Sequence, residues 1–276
     1  MANTKPSEMS FMDHLEELRW LLIRSTIAII VMACVAWYFD DFIFTTVIFG
    51  PKDPNFVTYE FFCQVAKLFG EEGGCATEFA FTIQSTEVGG QFDFYLWTCI
   101  WAGFIMAFPY ILWEVWKFIR PALYDKERKS ARSFILVSSL LFFIGILFGY
   151  FIIIPLSVNF FGTFSASNII ENRFSIASYT SLIKTSALAS VLVFELPIII
   201  YFLTKLGLVT PVFLRKYRKI SIVIILIIAA IVTPPNISAQ VIVSIPILIL
   251  YEMSILISAI VVKNKNKKDE RISAGV

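Results

Sequence analysis

The chain alternates long apolar runs with short charged segments, and the lengths of the runs decide its class. Trp20 to Phe39, Phe94 to Trp113, Phe134 to Ile154 and Thr185 to Thr204 each match the roughly 20 helical residues that cross a hydrocarbon layer about 30 Å thick. Two further runs, Ile220 to Thr233 and Ile237 to Val262, flank the tetrapeptide TPPN. There Pro234 and Pro235 end one helix and turn the chain. The pattern predicts an all-α integral membrane protein with six transmembrane helices. Its fifth span is the shortest, so it either thins the bilayer or sits within protein. No internal repeat appears, and residues 1–276 read as a single membrane domain ending in a basic tail, 263–276.

Composition agrees with that class. Of 276 residues, 58% are hydrophobic and 16% charged, with a mean hydropathy of +0.77, too apolar for a domain with a solvated surface. The polar N-terminal stretch lacks the apolar core and small-residue cleavage site of a removable signal peptide, so the first span is expected to direct insertion. The net charge of only +2 conceals a strong segregation. Nineteen of the 23 Lys and Arg residues fall in the N-terminal segment, the 114–132 and 205–219 connections, and the tail after Val262. By the positive-inside rule these lie in the cytoplasm with both termini. The segregation accounts for the basic loops without nucleic acid.

The inventory of reactive side chains argues against an enzyme. One histidine, His14, cannot build a multi-histidine metal site, and no Gly-rich phosphate loop is present. No catalytic residue, metal or cofactor is expected, and His14 reads as an ordinary exposed or interfacial side chain. Cys34 and Cys99 fall within spans as buried thiols. Cys63 and Cys75 share the long 41–93 loop, which faces an oxidising compartment in a Gram-negative cell. A Cys63–Cys75 disulfide is expected there, the alternative being two unpaired thiols.

Three polar features stand out. In SFMDHLEELRWLL, Phe11, Leu15, Leu18 and Leu22 form an apolar stripe for a helix along the inner membrane surface. Asp13, Glu16 and Glu17 on the same turns read either as a solvated acidic face beside Arg19 or as a recognition surface. In the next basic connection, YILWEVWKFIRPALYDKERK, Trp113, Trp116 and Tyr124 suit the headgroup level. Glu127 there either pairs with Arg128 or Lys126 on the surface or joins Glu17 in an acidic patch. The third feature is LVFELPIII, which places Glu195 inside an apolar run. Its neighbours three and four residues away are all aliphatic, so the carboxyl needs the protein interior, a wet groove or a proton. Pro197 also leaves the Val193 carbonyl without its helical donor. Glu252, in the sixth span, reads equally as a helix–helix hydrogen-bonding group or a partner contact.

At these residues the chain resembles the TatC family, the multispanning subunit of the twin-arginine protein translocase. FMDHLEELR at 11–19, WKFIRPALYDKER at 116–128, FELP at 194–197, RKYRK at 215–219, TPPN with Gln240, and IPILILYE at 245–252 follow the family's order and spacing. The resemblance implies a receptor for the paired arginines of signal peptides on folded precursors. It implies a bacterial cytoplasmic (inner) membrane location, an oligomeric complex with TatA- and TatB-type single-span subunits in membrane lipid, and export driven by the proton-motive force. By motif position, Glu17 and Glu127 would contact the arginines, whose planar fork suits carboxylates, and Phe118 and Leu123 would shape the apolar surface beside them. Glu195, Gln240 and Glu252 would line a concave polar membrane groove where partner helices dock. Two departures are visible: Asn236 replaces the family's usual aspartate, leaving a capping role open, and the 41–93 loop carries extra sequence around Phe62 to Phe79. A proton-coupled solute carrier using Glu195 as its relay is the alternative from another class, weakened by the lack of an inverted repeat.

Overall fold

The computed structural model describes residues 11–68, 81–119, 131–167, 169 and 171–273. Helix α1, Phe11–Tyr38, runs for 28 residues, with no glycine or proline to interrupt it. The amphipathic stretch expected to lie separately along the membrane is therefore the first turns of α1. The other elements are α2 Val57–Leu68, β1 Thr82–Gln84, α3 Gly90–Ile119, α4 Ala131–Phe148, α5 Ile154–Thr163, β2 Arg173–Ser175, α6 Ile176–Phe194, α7 Leu196–Lys205, α8 Pro211–Lys216, α9 Arg218–Val232 and α10 Ile237–Ser273. Among the described residues, five stretches are long and apolar enough to cross a membrane: His14–Tyr38, Gly90–Phe118, Phe134–Thr163, Ile176–Lys205 and Ala239–Asn264. Helix α9, expected as a further span, has 15 residues and rises about 22 Å, short of a hydrocarbon core of about 30 Å. The basic segment after Val262 continues α10 as helix through Ser273.

The chain forms two compact units, Met1–Phe44 with Gln91–Ser139, and Thr45–Gly90 with Leu140–Val276. In the first, α1 and α3 approach closely at Gly103. A Cβ there would stand 2.6 Å from the Ala33 amide nitrogen and 2.7 Å from the Ile29 carbonyl oxygen. Only a residue without a side chain admits such backbone contact. Trp116, expected at the headgroup level, is buried, its ring 5.0 Å from that of Phe134. Cys34 is a free thiol facing outward rather than a buried one, whereas Cys99 is buried and free.

In the second unit, helical backbone is interrupted beside Pro155 and Pro197, whereas α10 runs through Pro246 unbroken. Between α4 and α5 the chain widens into a π turn, Gly149–Ile153. Pro155, just after it, has no N–H for the Phe151 carbonyl, and the Thr58 hydroxyl of α2 donates to that oxygen at 2.7 Å. The adjacent Tyr59 hydroxyl, buried, lies 2.7 Å from the Pro51 carbonyl and 3.2 Å from that of Pro155. Burial pushes its pKa upward, so it remains a proton donor. In the same unit, β1 and β2 pair in parallel, with Ile83 opposite Phe174. Cys63 on α2 is held in a disulfide; Cys75, its expected partner, lies outside the described residues.

Gly145 and Gly149 let the α4 segment pack against the small-residue face of α6. A Cβ on Gly145 would meet the Val191 Cα at 3.1 Å, and one on Gly149 the Ala187 Cα at 3.2 Å. The Ser190 hydroxyl donates to the Gly145 carbonyl at 2.6 Å, fixing the register. Around the far ends of these helices, Val193, Ile225, Val243, Ile247, Tyr251 and Ile255 join one core. Across it the Thr204 hydroxyl of α7 donates to that of Ser258 on α10 at 2.9 Å.

The Gly103 crossing predicts that Gly103→Ala lowers stability by roughly 1–3 kcal/mol through overpacking. Gly89→Ala, where nothing lies within 4 Å of the added carbon, should change little. Thermal unfolding of the two purified variants in detergent checks this, and equal midpoints would contradict the close approach.

Candidate functional site

The N-terminal end of α1 and the C-terminal end of α3 meet in the first unit through aromatic contact. The His14 imidazole stacks on the Phe118 ring at 4.3 Å between centroids with 26° between planes. His14 is thus exposed yet committed on one face, a role its isolation in the sequence did not signal. Glu17 follows one turn later, on the same side of the helix. It is half-buried, and among the described residues it makes no salt bridge. Glu127 and Leu123, expected beside it, lie outside the described residues.

A second carboxylate sits just inside this contact. Glu114, one turn before Phe118 on α3, is 3% exposed. Its Oε2 lies 3.3 Å from Nη1 of Arg24 on α1, and its Oε1 lies 2.6 Å from Nζ of Lys117. Lys117 also sits 5.9 Å from the Trp113 ring centroid, and Arg24 6.0 Å from that of Trp20. The reading of the sequence passed over Glu114. The signal was present: an acid in one apolar run and an arginine in another are each expensive alone in hydrocarbon and are stabilised by meeting.

The second unit holds the remaining carboxylates. Glu195 stands at the break between α6 and α7, half-buried, with φ −79° and ψ −9°. Its carbonyl accepts from the amides of Ile198 and Ile199, both at 3.1 Å, and its own amide donates to the Val191 carbonyl at 3.0 Å. That amide also reaches the Val193 carbonyl, the group Pro197 strands. On α10, Gln240 donates from Nε2 to the Leu226 carbonyl of α9 at 3.1 Å. Asn236 takes the N-cap position, its carbonyl accepting from the Gln240 amide at 3.0 Å. Glu252 pairs through Oε2 with Nη2 of Arg218 at 2.7 Å. Beside it the Tyr251 hydroxyl accepts from Ser221 at 2.9 Å and donates to the Leu214 carbonyl at 2.8 Å. Gln240 and Glu252 thus tie α9 to α10 at two levels.

Residues 13–246 match the family model described as Sec-independent protein translocase protein (TatC). The chain belongs to the TatC family. It is 43% identical over 267 residues to the Sec-independent protein translocase protein TatC of Blattabacterium sp. subsp. Periplaneta americana (strain BPLAN), covering 96% of this chain and 100% of that protein. It is 34% identical over 260 residues to that of Aquifex aeolicus (strain VF5), covering 94% and 98%. A crystal structure titled twin arginine translocase receptor TatC superposes with a TM-score of 0.65 at 32% identity, covering 90% of this chain and 99% of that one. This TatC-family chain is accordingly a multi-pass membrane protein and a transport component of a protein translocase.

In this TatC-family member, Arg218 and Glu252 are 47% and 48% exposed, so their pair should contribute no more than about 1 kcal/mol. The Tyr251 hydroxyl is buried with two partners, and its removal should cost about 1–3 kcal/mol. Tyr251→Phe is therefore expected to lower the unfolding midpoint in detergent more than Glu252→Gln. The reverse order would make the Glu252 pair the principal tie.

Proposed function

We propose that this chain is the signal-peptide receptor of a twin-arginine translocase, in the bacterial cytoplasmic membrane with both termini inside. It exports folded precursors with TatA- and TatB-type single-span partners, using the proton-motive force. The carrying observation is Glu17: a half-buried carboxylate without a salt bridge among the described residues, one turn from the stacked His14 and Phe118. A guanidinium fork from an incoming signal can be bound there in bidentate fashion, with the aromatic pair as a flat neighbour. Glu127 supplies the second carboxylate and Leu123 the apolar rim. Helix α9 completes a sixth crossing, its shortness taken up by local thinning of the bilayer. Cys75 closes the disulfide with Cys63 in the outer loop.

In the same reading Glu195, at the break between α6 and α7, faces a polar groove where a partner helix or signal segment docks, with Gln240 and Glu252 on its borders. The break supports this, because irregular backbone at membrane depth persists where it lines a cavity or is buried in protein. A neutral carboxyl there acts as both donor and acceptor toward a docking helix.

Two measurements test these assignments. A twin-arginine precursor carrying a photocrosslinker should be captured by the intact complex in membrane vesicles, and an RR-to-KK precursor much less. Glu17→Ala and Glu127→Ala should each reduce capture, and Glu17→Lys should reduce it further by repulsion. Unchanged capture by all three, at matched protein levels, would remove the assignment. For the membrane carboxyl, Glu195→Gln should export slightly less and Glu195→Ala much less, with altered crosslinks to TatA- or TatB-type helices but normal precursor capture. A Gln variant as inactive as Ala would instead indicate that Glu195 must carry a proton.

A further inference from the structure

Glu114 is the one buried acid among the described residues, and the reading above gives it no task. It holds two cations, Arg24 at 3.3 Å and Lys117 at 2.6 Å. Both are about half exposed, so neither is confined by packing. Arg24 lies seven residues after Glu17, on the same face of α1. Side chains of a helix lean toward its N-terminus, so Arg24, if released, extends along α1 toward Glu17. Lys117 is the residue before Phe118, whose ring meets His14 one turn from Glu17. Both cations therefore lie within a helical turn or two of the receptor carboxylate or of the ring pair beside it, and Glu114 occupies them both.

We propose that Glu114 is a positioning residue for signal recognition: it sequesters Arg24 and Lys117 and thereby keeps Glu17 open to the arginines of the incoming peptide. The inference rests on Glu17 being an arginine contact. Its logic is competition, because a carboxylate already paired within the protein binds an external guanidinium only by displacing the internal one. A carboxylate acting only as a strut between α1 and α3 would behave otherwise. In that case removing its cation partners as well could not help.

The test uses the complete translocase in membrane vesicles and measures photocrosslinking of a twin-arginine precursor at matched levels of protein. Four forms are compared: the unmodified chain, E17Q, E114Q, and the triple variant R24Q/K117Q/E114Q. E17Q should lose capture. E114Q should lose about five-fold, the scale of one partly exposed ion pair in competition. The triple variant, with the competing cations gone, should return to within about two-fold of the unmodified chain. If E17Q captures normally, the underlying assignment of Glu17 fails. If E17Q fails while E114Q is normal, or the triple variant is no better than E114Q, the sequestration is overturned and Glu17 retains its role.

Discussion

Backbone amides in hydrocarbon have no water to fall back on, and that requirement governs this molecule. Four of its five long apolar stretches contain a proline, Pro109, Pro155, Pro197 and Pro246, each removing a helical donor. Where the outcome is visible, the protein answers in two ways. At Pro155 another element supplies the donor, the Thr58 hydroxyl, which fixes α2 to the top of a span. At Pro197 the helix itself breaks, with Glu195 at the turn between α6 and α7 and its amide still bonded to the Val191 carbonyl. The first solution ties α2 to the break between α4 and α5. The second interrupts an apolar stretch at the residue that carries its carboxyl.

Side-chain charge obeys the same constraint. Arg24 and Glu114 each interrupt an apolar run, and each is tolerable because the other is present. Lys117 gives the carboxylate a second partner from its own helix, three residues away. Close helix approach makes the geometry dependable: with Gly103 against the Ala33 backbone, α1 and α3 have little freedom to slide. The charged cluster and the His14–Phe118 stack then occupy one end of a tightly registered helix pair.

Much of this was legible from hydrophobic run lengths and punctuation. The helix ends near Tyr38, Lys205 and Val232 fall within a residue or two of expectation because polar or proline-containing segments stop the runs there. At the other ends, the helix from Phe11 was expected but not its continuity with the first span, and the early start of α6 was not legible. Helix α1 starts at Phe11 and α6 at Ile176, since helical hydrogen bonding persists through mixed sequence such as HLEELR and SYTSLIK once a span has nucleated it. The cover on Trp116 was not legible, because an amphipathic ring looks the same in sequence whether lipid or Phe134 lies against it. Glu17 and Phe118 were singled out by motif as candidates, whereas Glu114 escaped because its pairing depends on Arg24, ninety residues away. Pairing across that separation is a tertiary fact that no local spacing encodes.

Glu17 and Glu114 show how one side chain acquires opposite tasks within a short distance. Glu114 is enclosed, with a cation on each oxygen, and such a carboxylate is a poor receptor: an incoming guanidinium must first expel a partner already desolvated with it. Glu17 is only half-buried and free of salt bridges among the described residues. Its partly exposed carboxylate has acceptor capacity that a planar fork can fill. Neither environment arises from glutamate itself. The difference lies in where α1 and α3 place their basic residues: Glu114 has a cation from each helix, whereas Glu17 makes no salt bridge among the described residues. In the proposed receptor role, the cations that the fold keeps away from Glu17 matter as much as the position of its carboxylate.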